Sequence, residues 1–416
     1  MSTLLNVDRA IELILEGLNS KGPEEISIME ALNRIAASNI IAPMSLPPFA
    51  NSALDGFAVH ASDTQTASED SPMTLPVSLD ITAGTHPERP LEMGEAARIM
   101  TGAPLPEGAD AIIAVEATNV DWEADDEVPL PESIQFTKPV KAGHGVRAIG
   151  ESVKAGQVII EKGSVLRSAS IGMLAGLGLS EVSVTQQPRV AIISSGNELV
   201  PLHETLTPGK IHDSNSYSLA MLVKQYGGIP TRLPIARDSL DSIRQTFHSA
   251  LDNFPDMIIS SAGVSVGTAD LVRTVLTELG EVDFWRINLR PGKPLAYGKL
   301  RGIPFFGLPG NPVSAMVTFE VLVRPALLKL AGTQEVELHT TAVAGERITT
   351  DGRRSYERVT LKRDGNHWVA YLTGTQSSGA LMSMVLADAL MIVPEDMTVV
   401  EPGTILPIKL LRQPKI

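Results

Sequence analysis

From Arg189 onward the chain alternates short apolar runs with stretches of helical period, which restricts it to a small set of folds. Val190–Ile193 reads as a buried strand, 214–226 as a helix, Leu240–Leu251 as a second helix, and the run at Met257 as another strand. Strands alternating with helices of this length imply βαβ units and a mostly parallel sheet covered on both faces. After Met257-Ile-Ile comes a Ser/Gly/Ala loop, then a helical pattern from about Thr268. Unpaired N–H groups and the dipole at that helix start make a place for an anion. Two further loops, Arg290-Pro-Gly-Lys293-Pro294 and Pro309-Gly310-Asn311-Pro312, are stiffened by proline and relieved by glycine, and are expected at strand ends of the same sheet. No Asp or Glu occurs between Phe284 and Phe319, whereas Arg286, Arg290, Lys293, Lys299 and Arg301 do. This surface suits a small, strongly anionic ligand.

The rest of the chain is organised differently. At 416 residues it has room for about three domains. Its net charge of −14 repels nucleic acid and anionic membrane, so the basic segment must act locally on something small. There is no cysteine, no signal-peptide pattern and no apolar run long enough to span a bilayer, and a cytoplasmic protein is expected. Val7–Leu18 has helical spacing, and a second helix is expected from a capping box at Ser27-Ile-Met-Glu30, with Leu32 and Ile35 buried. After Pro43, Pro47 and Pro48, the stretch Asn51–Val59 turns into a strand and short strands continue to about Val140. The acidic run Asp121–Glu127 reads as a solvated loop tip. A helix is expected at 168–177, and after Gly332 alternating runs such as Tyr356–Leu361 and Trp368–Leu372 predict a terminal β domain.

Gly263-Val-Ser265-Val-Gly267 satisfies the G-x-S-x-G pattern of a hydrolase elbow. An elbow serine stands at the sharp turn itself, whereas here the helix begins later, and His339 and His367 fall in the terminal β domain. A backbone cradle for an anion is the better account. Glu198, Asp213, Asp238 and Asp270 each follow a strand of the alternating region. Each alone serves as a helix cap. Converging on one sheet edge, they would hold a hard divalent cation, most simply Mg²⁺, against anionic oxygens. P-loop, dinucleotide and H-E-x-x-H signatures are absent.

These segments together resemble the molybdopterin molybdenumtransferase family, whose relatives include the E domain of gephyrin. The resemblance rests on Leu46-Pro-Pro-Phe49, Asn51-Ser52 through Asp55-Gly-Phe-Ala-Val59, Thr101-Gly-Ala-Pro-Leu-Pro-Glu-Gly-Ala-Asp110 and Ile149-Gly-Glu151 in the first part of the chain. It continues through Arg189–Glu198, Ile211-His-Asp-Ser-Asn215, Gly263–Gly267, Pro291-Gly-Lys-Pro294 and Gly307-Leu-Pro-Gly-Asn-Pro-Val-Ser314. It implies insertion of molybdate into adenylylated molybdopterin with release of AMP, dependent on a divalent metal. It further implies Asp55, Thr101, Glu198, Asp238, Asp270, Lys293 and Arg290 in the reaction, with Glu198 and Asp270 as metal ligands. Asp213, Ser214 and Asn215 would hold the nucleotide or pterin, with Gly263, Ser265, Gly267, Pro309, Gly310 and Asn311 around it. Arg358 and Ser378 would meet molybdate. A homodimer whose cleft uses both subunits, and a molybdopterin adenylyltransferase partner, are implied too. The family pattern departs at Ala262, Arg290, Ser152 and Asn197, where glycine, lysine, aspartate and aspartate are common. A non-catalytic scaffold or pterin-binding protein, and a Ser265 hydrolase, are the alternatives.

The fold expected is multidomain α/β plus β. A central three-layer α/β domain with a mostly parallel sheet spans 186–332. An inserted, mostly β module spans 51–140, a helical and linker domain is made of 1–50 with 141–185, and a small barrel-like β domain spans 333–416.

Overall fold

The computed structural model describes residues 4–121, 129–261, 269–333 and 340–414, less the side chains of Ala269, Asp270 and Phe284. The acidic run, except Asp121, the 263–267 loop and His339 lie outside the described residues.

The central sheet has six strands in the order Ile229–Arg232, Arg189–Ser194, Met257–Ser261, Ile303–Leu308, Pro294–Leu300, Gly280–Arg286. The first four run parallel, and Pro294–Leu300 runs antiparallel to both of its neighbours, so Gly280–Arg286 shares the direction of the first four. Side-chain alternation divides the two faces. Val190 and Ile192 enter one core with Leu219 and Leu322, while Ala191 and Ile193 enter another with Phe247 and Val275. Helices Asn215–Gln225, Pro312–Thr318 and Arg324–Ala331 cover the first face. Helices Leu240–Asp252 and Ala269–Leu279 cover the second. Burial on both sides explains why these strands read as continuous apolar runs. Ser194, Ser261 and Leu308 stand in register, so three strands end together and open one carboxyl edge.

The first helix, Val7–Leu15, is capped by the Asn6 side chain and ends before Gly17 at φ 74°. Its Val7, Ala10 and Ile14 join the first core, so it packs with the central helices. The second expected helix does not form. Pro23–Ser27 instead pairs antiparallel with Glu181–Thr185, and only a 3₁₀ turn, Ile28–Glu30, follows. Asn33 in the left-handed region and a Leu32 that is 55% exposed mark where helical spacing lost to strand pairing.

Outgoing and returning segments then pair in succession, Ile40–Ile41 with Val158–Ile160 and Asn51–Ser52 with Val146–Arg147. Beyond them lies a five-stranded sheet of Ala111–Ala114, Gly56–Val59, Ala96–Ile99, Met73–Ile81 and Ser133–Phe136. At the other end of the chain, strands Arg354–Asp364, His367–Leu372, Thr340–Ala344, Ile405–Leu410 and Ala389–Val393 pair in that order and close back on the first. Closure into a barrel leaves no free edge among the five. Val359, Leu361, Ala370 and Met391 fill its interior.

One expectation about the basic loops needs correction. Leu289–Arg290 pairs in parallel with Arg354–Ser355, so Arg290 sits on the barrel's sheet while Pro294 opens a strand of the central one. The Arg290–Pro294 segment bridges two sheets.

Candidate functional site

The carboxyl edge of the central sheet holds a cleft of about 440 Å³, whose lining includes Glu198, Asp213, Asn215, Ser261, Gly310 and Asn311. A cavity of about 1000 Å³ opens near the opposite, amino edge, but none of the predicted site residues lines it. Volume is therefore a poor guide here, and the smaller cleft is where the chemistry collects.

Each wall has a local cause. Asp213 is buried, and its Oδ1 accepts the Ser216 N–H at 3.0 Å, capping the helix Asn215–Gln225; Ser214 stands between them. Asn215 donates from Nδ2 to Ser261 Oγ and to the Gly310 carbonyl, both at 2.7 Å, joining three strand-end loops through one amide. Glu198 is exposed at the rim, and no hydrogen bond from a described residue reaches its carboxylate. It folds back over Gly196, at φ 147°, where a Cβ would stand 2.5 Å from both carboxylate oxygens. Gly292, at φ 121°, is equally constrained, because a Cβ there would meet Thr318 Oγ1 at 2.3 Å. Pro309, Gly310 and Asn311 run over the cleft to the barrel side. There Asn311 Nδ2 donates to Ser378 Oγ at 2.9 Å and the Val313 N–H to the Ser378 carbonyl at 3.0 Å.

The structure brings together only some of the expected acids. Asp238 does not line the cleft; its Oδ2 accepts the Asn197 N–H at 3.0 Å, and its own N–H donates to Asn197 Oδ1 at 3.2 Å. This reciprocal clasp gives Asn197 a positional role. Asp270 lies in the first turn of its helix, but its side chain, like Gly263, Ser265 and Gly267, is outside the described set. Among the described residues no group of three or more metal-ligating side chains forms; of the four expected acids Glu198 and Asp213 line the cleft, Asp238 does not, and the side chain of Asp270 lies outside the described residues. The carboxylate oxygens of Glu198 and Asp213 suit a hard cation that takes further oxygens from a ligand. Asp55 and Thr101 lie together in the inserted module, the Thr101 N–H donating to Asp55 Oδ1 at 2.7 Å, and neither lines the cleft. Lys293 is exposed beside Gly292, with its carbonyl taken by the Ile287 N–H at 2.8 Å.

Across the Ser378 contact lies a buried charge. Arg358 is 1% exposed, on the strand face shared with Tyr356, and strand register places it opposite Leu390. Its Nε donates to Ser383 Oγ and its Nη1 to the Tyr356 carbonyl, both at 3.3 Å, while Nη2 is buried without a partner among the described residues. Desolvation lowers its pKa, against the pull of Glu357. A buried guanidinium with a spare donor is costly unless an anion arrives. Ser261, Gly196, Ser383 and Glu357 were not anticipated. The serine pair closing the Met257 run was the only available signal for Ser261, and a charged residue in an alternating strand gave none for Glu357.

Fold and site define a multidomain protein that handles a small anionic ligand, with an oxygen-rich cleft at the edge of a doubly wound sheet joined to a barrel carrying an unsatisfied arginine. Family models for the MoeA N-terminal region (domains I and II), a probable molybdopterin binding domain and the MoeA C-terminal region (domain IV) match residues 5–178, 191–329 and 341–411. The chain belongs to the MoeA family of molybdopterin molybdenumtransferases. It is 38% identical over 359 residues to the molybdopterin molybdenumtransferase of Haemophilus influenzae, covering 85% of each chain. To molybdopterin molybdenumtransferase 2 of Mycobacterium tuberculosis it is 35% identical over 403 residues, covering 94% of this chain and 96% of the relative. Two solved structures of MoeA proteins from Pyrococcus horikoshii, 34% and 28% identical, superpose with TM-scores of 0.83 and 0.84. They cover 99% and 98% of this chain and 100% of theirs. No helix among the described residues is long and apolar enough to cross a membrane.

Proposed function

We propose that this chain inserts molybdate into adenylylated molybdopterin and releases AMP, the last step of molybdenum cofactor assembly. The observation that carries the reading is Arg358, whose buried Nη2 has no partner among the described residues. The Arg358 backbone N–H donates to Gln376 Oε1, on the loop whose Ser378 accepts from Asn311 at the cleft. An oxyanion such as molybdate meets that need, and the cleft accommodates the nucleotide or pterin. Asp213, Ser214, Asn215 and the loops at 263–267 and 309–311 orient the substrate. Lys293 offsets its phosphate charge, and Arg290 adds positive charge on the side of the incoming oxyanion.

Mg²⁺, held by Glu198 and Asp270 with the substrate's own oxygens, would screen the repulsion between phosphate and carboxylate. The lining fits such an ion in donor type: Glu198 has no hydrogen bond to a described residue, and Ser195, Asp213 and Ser214 bring further oxygens to the same cleft. Asp55 and Thr101 complete the site from a second copy of the chain, because within one chain neither lines the cleft. The protein works in the cytoplasm as a homodimer and receives its substrate from a molybdopterin adenylyltransferase. The four-domain division at 1–50 with 141–185, 51–140, 186–332 and 333–416 belongs to the same proposal.

The test is AMP release by the purified chain given adenylylated molybdopterin. Release should require both molybdate and Mg²⁺ and be lost in Asp270→Ala. Release that ignores molybdate would sink the proposal, and an active Asp270→Ala would remove that carboxylate from the site.

A further inference from the structure

Glu357 is a charge in the wrong place for a barrel. It shares the inward face of its strand with Val359 and Leu361 and pairs with Met391, all three of which belong to the apolar interior. It is 2% exposed, and no hydrogen bond from a described residue reaches its carboxylate. Arg358 lies within ion-pair distance, with Nη1 3.9 Å from Glu357 Oε2.

The groups around it are few. Arg290, on the short strand paired at Ser355, acts on it from one side, its own Nη1 reaching the Thr349 carbonyl at 3.5 Å. Asp351 acts from the turn before the strand and is itself held by Arg353. The Ala389–Val393 strand and Ile348 bring only apolar side chains. Burial pushes the Glu357 carboxyl up, Arg290 and Arg358 oppose the shift, and Asp351 adds to it. Glu357 and Arg358 are thus buried together, with the half-buried Arg290 beside them, next to the loop that reaches the cleft.

We propose that Glu357 sets the charge of the oxyanion subsite and takes up a proton when the oxyanion binds. Ionised, it cancels one of the two guanidinium charges, leaving a single net positive charge to meet a dianion. Protonated, it leaves both guanidiniums to the ligand, and the dianion is balanced. The proton comes from solvent and ends on the carboxylate; no other bond changes. Interactions between buried charges are screened little, so the difference is large. The inference rests on the reading that Arg358 receives the oxyanion.

Titration calorimetry with molybdate alone, in buffers of different ionisation heat between about pH 6 and 8, counts the protons taken up. The native chain should take up protons with each molybdate, and its affinity should fall by as much as about tenfold per pH unit as pH rises. Glu357→Gln should lose that uptake and bind about tenfold more tightly at the upper end. Glu357→Leu, which fills the lumen without titrating, should match it and serves if the glutamine variant does not fold. Equal proton uptake by native chain and variant, or none by the native chain, overturns the role of Glu357 alone. Absence of molybdate binding at every pH, with AMP still bound, overturns the oxyanion reading and this inference with it.

Discussion

The cleft and the barrel mouth handle polarity in opposite ways. In the cleft, one asparagine amide ties Ser261 to Gly310, an aspartate caps a helix, and the free carboxylate of Glu198 stays at an exposed rim. At the barrel mouth, Glu357 and Arg358 are fully buried, with long or missing hydrogen bonds. Neutral polar groups cost less to bury, even with Asn215 Oδ1 left without a partner among the described residues, whereas poorly paired charges cost more and are ready to act on a ligand. The cleft is therefore suited to recognise by hydrogen-bond geometry, and the barrel mouth by charge.

The contrast predicts separable losses. The largest should follow Arg358→Met, which removes the buried cation at similar bulk. Molybdate-dependent AMP release should fall by about 10²–10³-fold while AMP binding, measured by calorimetry, changes little. Equal damage to both would merge the two regions into one. Next, Gly196→Ala drives a methyl into the Glu198 carboxylate and strains the backbone. It should lower turnover about tenfold, with molybdate binding intact. Unchanged turnover would remove Glu198 from the reaction.

The smallest effect belongs to a pair outside both regions. Arg354 binds both oxygens of Asp8, at 2.6 and 2.8 Å, fastening the first helix to the barrel. That hydrogen bond holds the Asp8 carboxyl below its ordinary range, against some desolvation. A depressed carboxyl pKa contributes stability above its unfolded value, about 3.9, and the contribution is lost as pH falls through the folded value. Asp8 is largely exposed, so Asp8→Asn should cost only about 0.5 kcal/mol at neutral pH and nothing in strong acid, as read from denaturation midpoints. A constant loss at every pH would mean that packing, not charge, is involved.

Much of this architecture was legible in the residue pattern. The central strands are buried on both faces, so their continuous apolar runs and the intervening helical periods left little choice. The terminal β domain was visible for the complementary reason, through its alternation. The failures share a cause. A two-residue strand such as Leu289–Arg290 has no periodicity to detect, so Arg290 was assigned to the wrong sheet. The 27–35 segment carries a sound cap, yet strand pairing by Pro23–Ser27 outweighed it. Asp238 follows a strand, and its Oδ2 is held by the Asn197 N–H of another strand-end loop, a contact between distant segments that no local pattern signals.

Residue pattern alone thus settled the layered sheet, the position of its carboxyl edge, the basic segment beside it and the family, because each follows from local periodicity or contiguous motifs. Tertiary packing settled which acids face the cleft, that Arg290 leaves the central sheet for the barrel, and that Glu357 and Arg358 are both buried. Those outcomes depend on contacts between segments far apart in the chain, and on a dielectric environment that exists only once the barrel has closed against the sheet.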